Sequence, residues 1–100
     1  MNRPLIVRPA AESDIREIYD YLELAQVGLG SRFSDRLRDV FERVESMPES
    51  CAAIWQDVRA TRVKRFQYVV YYIAFSDRLE ILAVLHGARH EATWQARRGN

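Results

Sequence analysis

Little in this chain could staple or anchor it. Cys51 is its only cysteine, which excludes an internal disulfide. With no histidine at ligand spacing nearby, Cys51 supports neither a zinc site nor a cysteine nucleophile. No apolar run approaches the ~20 residues of a membrane span. The opening residues, MNRPLIVRPAAESD, lack the apolar stretch of a secretory signal. Repeats, low-complexity tracts and linkers are missing, so residues 1–100 are expected to form a single domain. No Ser/His/Asp signature is present, and Gly28-Leu29-Gly30 is too short for a phosphate loop; it reads as a helix–helix turn. Excess charge is lacking as well: a net charge of +1 argues against a dedicated nucleic-acid binder. The expectation is a cytoplasmic protein with no membrane segment, no metal and no cofactor.

What the chain does have is a foldable composition, 48% apolar and 29% charged, which is that of an ordered rather than a disordered protein. A chain this short buries only about 60–65% of its unfolded surface, so a partner that adds burial would help it appreciably. Charge is unevenly placed. Residues 1–50 hold seven arginines and ten acids, a balance of −3, and residues 51–100 hold eight basic residues and four acids, a balance of +4. The C-terminal half is the better candidate for an anionic partner.

Leu5-Ile6-Val7, between Pro4 and Pro9, reads as a short edge strand. A helix is expected from about Ala10 to Gln26, since Ile15, Ile18, Tyr19 and Leu22 recur on one face. Gly28 and Gly30 mark the break. A second helix, about Ser31 to Met47, has the stripe Phe33, Leu37, Val40, Phe41 and Val44, and Pro48 stops it. Residues 48–58, with Trp55, read as a loop, and 59–66 as a strand. Tyr68–Phe75 and Leu79–His86 flank Ser76-Asp77-Arg78 and form a β-hairpin. Glu91–Arg98 reads as a short C-terminal helix carrying Trp94. The predicted class is α+β, a helical hairpin on a small, mainly antiparallel sheet in the order β-α-α-β-β-β. Both faces of the central strands are apolar: Val69, Tyr71, Ile73 and Phe75 on one, Tyr68, Val70, Tyr72 and Ala74 on the other. The helices can cover only one of them. The tail, a loop or another chain must cover the other.

This order, with PAAESDIREIYDYL in the first helix, LGSRF entering the second, RFQYVVYYI in the third strand and ILAVLHGARH closing the fourth, resembles the RelE/ParE toxin superfamily of bacterial type II toxin–antitoxin systems. The matches cover nearly the whole chain. RelE-like members are ribosome-dependent endoribonucleases that cut mRNA; ParE-like members poison DNA gyrase and block replication. Arg89 matches a catalytic arginine of the ribonucleases. Where those enzymes carry another arginine in the third strand, this chain has Tyr68. Their C-terminal catalytic tyrosine is missing, with Trp94 and Gln95 nearest. The FQYVVYY and LHGARH patterns look more like ParE. The resemblance therefore implies a non-enzymatic gyrase toxin, neutralised in a hetero-oligomer by a ParD-like antitoxin with a DNA-binding N-terminal part. The alternative is a ribonuclease acting on ribosome-bound mRNA.

Candidate residues follow. No catalytic set is favoured. In the ribonuclease alternative, His86 and His90 would be the acid/base pair beside the phosphate clamp of Arg89. In the plainer reading His86 caps a strand and Arg89 makes a structural ion pair. His86, Arg89, His90, Trp94 and Arg97 are the expected target contacts. The basic run Arg59, Arg62, Lys64, Arg65 could follow a phosphate backbone, protect an edge strand or meet an acidic antitoxin tail. For the antitoxin, the expected contacts are Leu24, Val27 and Leu29 at the lip of the helical hairpin, Arg62 and Lys64, and the strand face of Tyr68, Val70 and Tyr72.

Overall fold

Pro9 has no N–H to lose and a φ already suited to a helix, so it serves well as a first helical residue. In the computed structural model, which describes residues 3–87 and 90–99, it opens α1 (Pro9–Ala25). Ala11, Ile18 and Leu22 are buried along one face, with Ile15 packed beside them. Gly28, at φ 89°, turns the chain in a conformation that favours glycine. Glu23 reaches across this turn. Its Oε1 accepts hydrogen bonds from the Gly28 and Gly30 N–H groups at 3.0 and 2.9 Å, satisfying donors that the start of α2 (Leu29–Ser46) would otherwise leave unpaired. Phe33, Leu37, Val40 and Val44 form the buried stripe of α2.

Only one of the two glycines is a break. Gly30 lies inside α2, where the helices touch: a Cβ there would stand 2.9 Å from the Tyr19 carbonyl oxygen and 2.8 Å from Glu23 Cγ. The backbone oxygen cannot swing aside, so Gly30→Ala should destabilise the fold by about 1–3 kcal/mol, outweighing alanine's better helix propensity. Urea unfolding measures this. A variant as stable as the parent would show that the hairpin is not so closely packed.

The sheet has five strands: β1 (Leu5–Val7), β2 (Ala53–Trp55), β3 (Val58–Arg62), β4 (Tyr68–Ala74) and β5 (Leu79–His86). They lie in the order β1-β5-β4-β3-β2, with β1 parallel to β5 and every other pair antiparallel. The α+β class and the helix–helix–meander order stand as expected; the strand count does not. Residues 48–58 hold β2 and the start of β3, because a three-residue strand is too short to show a period of two. The strand expected over 59–66 ends at Arg62. A turn follows in which the Phe66 N–H donates to the Val63 carbonyl at 3.1 Å and Arg65 takes φ 71°. Among the described residues no helix is long and apolar enough to cross a membrane.

The two apolar faces have different covers. Tyr68, Val70 and Tyr72 join the core beneath α1 and α2. Tyr71 and Ile73 join Val58, Leu82 and Ala83 on the other side, beneath Trp94 of α3 (Glu91–Arg98). The tail therefore covers the second face, with Val69 and Phe75 at its margin.

Tyr72, buried with its hydroxyl donating to the Pro48 carbonyl at 2.9 Å, has a pKa pushed up from 10.0 to about 12, chiefly by burial. Burial also raises Tyr68 and Tyr71. The unfolded chain releases these protons first, so their contribution is complete below pH ~10 and is lost as pH rises toward 12. We expect a steep alkaline loss of stability in that window, with Tyr72 supplying on the order of 2–3 kcal/mol. In Tyr72→Phe the loss should be visibly shallower by denaturant midpoint. An unchanged alkaline profile would place the effect elsewhere.

Candidate functional site

The end of β5 and the base of the helical hairpin form one continuous surface. His86 is the last residue of β5, paired with Tyr68 across the sheet, and its exposed imidazole meets the Tyr68 ring edge-on at 5.3 Å. Tyr68 is itself 8% exposed, packed at 5.4 Å against Phe33. Gly87, at φ 66°, turns the chain away. Its N–H donates to the Gln67 carbonyl at 2.7 Å, which ties the end of β5 to the turn before β4. Arg89 falls outside the described residues. His90 is exposed at the start of α3, without a side-chain capping bond.

Two of the expected target contacts also hold the fold together. Trp94 is 4% exposed, stacked on Tyr71 at 4.9 Å and meeting Trp55 edge-on at 5.9 Å. Arg97 grips both carboxylate oxygens of Asp14, at 2.6 and 3.2 Å, and also donates to the Leu82 carbonyl at 3.1 Å. Trp94 has almost no surface left to offer a target and Arg97 has its guanidinium engaged, because α3 closes back on the sheet instead of projecting from it.

The expected antitoxin contacts divide likewise. Leu24 and Val27 are 89% and 88% exposed, and Tyr21 beside them is 67% exposed, an apolar lip at the end of α1. Leu29 lines two clefts below it. Arg62 and Lys64 are exposed. Tyr68, Val70 and Tyr72 require correction: theirs is the face the helices cover, and Val70 and Tyr72 are completely buried. A period of two records that both faces are apolar but not which one the hairpin takes.

The two clefts adjoin. One, about 440 Å³, lies between α2 and the β3–β4 turn and is lined by three arginines, Arg32, Arg36 and Arg65, and two aspartates, Asp35 and Asp39, over Leu29 and Phe66. The other, about 570 Å³, shares Leu29, Arg65 and Phe66 and runs on to Tyr21, Tyr68 and His86. Sequence reasoning did not single out Tyr21, Arg32, Arg36 or Phe66. The one available signal was Arg32 and Arg36 at i, i+4 on the polar face of α2. No group of three or more metal-ligating side chains exists among the described residues. What the surface offers is an apolar groove with cations at one end, suited to holding a chain segment.

Comparison with known proteins bears on this geometry. The family model described as ParE toxin of type II toxin-antitoxin system, parDE, matches residues 5–91. A search of curated proteins gave no match. Among solved structures, a chain of the chromosomal ParDE TA system from P. aeruginosa has a similar fold, with a TM-score of 0.65 at 15% sequence identity. The likeness covers 86% of this chain and 97% of that one.

Proposed function

The chain belongs to the ParE toxin family of type II toxin–antitoxin systems, and from that premise we propose that it arrests growth by inhibiting DNA gyrase through protein contact and is neutralised by a cognate antitoxin. Tyr68 is the observation that carries the gyrase reading. Where the ribonuclease branch carries an arginine, this chain has a tyrosine buried between Phe33 and His86, whose ring cannot clamp a phosphate as a guanidinium would. The toxin acts in the cytoplasm as one domain. His86 and His90, with Arg89 between them in sequence, form the target-facing corner.

The antitoxin is ParD-like, with a DNA-binding N-terminal part and a C-terminal segment that covers the lip of Tyr21, Leu24 and Val27. Burying that lip stabilises the toxin by mass action, so the complex should melt well above the free toxin. Equal melts would count against the reading. For the target, purified toxin should inhibit gyrase supercoiling while translated mRNA stays intact after induction. Codon-phased mRNA cuts with unimpaired supercoiling would replace gyrase by the ribosome.

A further inference from the structure

Most of the described arginines have a structural task. Arg3, Arg8, Arg38, Arg78, Arg97 and Arg98 form ion pairs, Arg43 and Arg59 donate to Thr61 and to the Cys51 carbonyl, and Arg16 donates to the Ser13 hydroxyl. Among the described residues the unpaired cations are Arg32, Arg36, Arg62, Lys64 and Arg65, and they gather in one region. Three of them, Arg32, Arg36 and Arg65, line the cleft between α2 and the β3–β4 turn.

Arg65 is also held against its preference. The turn Val63–Phe66 is closed by the Phe66 N–H to Val63 carbonyl bond. Arg65 is its third residue, at φ 71°, the place that favours glycine in a type II turn. A glycine would turn the chain with less strain but would bring no guanidinium to the cleft. Strain at a charged, exposed residue lining a cleft points to use of the side chain.

We propose that this cleft binds an acidic, apolar-interleaved peptide segment. Its carboxylates would pair with Arg32, Arg36 and Arg65, and its apolar side chains would enter over Leu29 and Phe66 into the adjoining groove beside Tyr21. Charge complementarity chooses the occupant. Carboxylates spaced along a peptide can meet the three arginines and avoid Asp35 and Asp39, whereas a continuous phosphate backbone would carry its charge past both aspartates. The inference rests on the toxin–antitoxin reading only in taking the antitoxin as the source of the segment.

Two synthetic peptides of one apolar pattern, carrying glutamates or lysines at the intervening positions, test it by NMR titration against the intact toxin. The glutamate peptide should shift the amide resonances of Leu29, Arg32, Arg36, Arg65 and Phe66, and bind at least about tenfold more tightly than the lysine peptide. Arg32→Glu/Arg36→Glu should abolish that difference. Arg65→Gly should separate structure from recognition, melting higher than the parent yet binding the glutamate peptide several-fold more weakly. Equal affinity for both peptides, glutamate-peptide binding unchanged in Arg65→Gly, or a single-stranded RNA that outcompetes the peptide would each overturn the proposal. An antitoxin that neutralises the parent and the Arg32→Glu/Arg36→Glu variant equally would overturn it while leaving the toxin–antitoxin reading intact. An antitoxin that fails on the parent would sink that reading instead, and the peptide titration would still decide the cleft.

Discussion

Trp94→Ala should lower stability by about 3–5 kcal/mol, an effect large enough to remove α3 from the fold. Trp94 is the buried residue of that helix, and eight residues are too few for a helix to persist in water unsupported. Truncating the indole therefore loses its stack on Tyr71 and its edge contact with Trp55, and takes with it the cover over Tyr71, Ile73, Leu82 and Ala83. Among the described residues its buried Nε1 has no hydrogen-bond partner, so packing dominates the loss. Trp94→Phe should consequently retain much of the stability. At roughly 4–8 °C per kcal/mol for a domain of this size, Trp94→Ala should melt more than about 12 °C below the parent. It should also bind a hydrophobic dye through the uncovered strands. A melting point within a few degrees of the parent would show that α3 is not the layer that closes this face, and would return Trp94 to the candidates for target contact.

Those elements whose burial repeats along the chain were legible in the sequence. The stripes of α1 and α2 and the β4–β5 hairpin each record their environment in apolar spacing, and each formed close to where that spacing placed it. Three other features had no such record. The first was the covered face, because β4 is apolar on both sides; a lone tryptophan twenty-three residues beyond Tyr71 decided it. The second was the role of Gly30, whose two possible tasks, turning the chain or admitting a close neighbour, look the same until Tyr19 is placed beside it. The third was the cationic cleft. Arginine is the common basic residue throughout this chain, and only after most have found carboxylates or carbonyls do the unpaired ones stand out. The resemblance of LGSRF and ILAVLHGARH to a toxin superfamily supplied what periodicity could not, the class of partner.

The ion pair between Asp14 and Arg97 spans 83 positions of sequence, and no local pattern could have announced it. Its removal is the second large effect we expect. Asp14 projects from α1 onto the part of β5 that extends beyond β1, where it accepts the Val84 N–H at 3.1 Å as well as the Arg97 guanidinium. Arg97 answers from α3 by donating to the Leu82 carbonyl, and Arg8 donates to the Arg97 carbonyl at 2.7 Å. The pair thus occupies the strand edge that β1 leaves open and fastens α3 to the body at the same point. Both side chains are largely buried, at 12% and 21% exposed, so removing one leaves the other charge poorly solvated. Asp14→Ala should destabilise by about 2–4 kcal/mol, little relieved by salt because a buried pair is weakly screened. In a double-mutant cycle, Asp14→Ala/Arg97→Met should be less destabilised than the sum of the single variants, with a coupling of about 1–3 kcal/mol. Asp14→Ala combined with Trp94→Ala should also fall short of additivity, because each change alone already releases α3. Strict additivity in both cycles would mean that Arg97 and Trp94 hold the helix independently of Asp14. Should the variants instead keep the parent's stability yet lose toxicity, Arg97 would be a target contact after all, and the tail a recognition element rather than a cover.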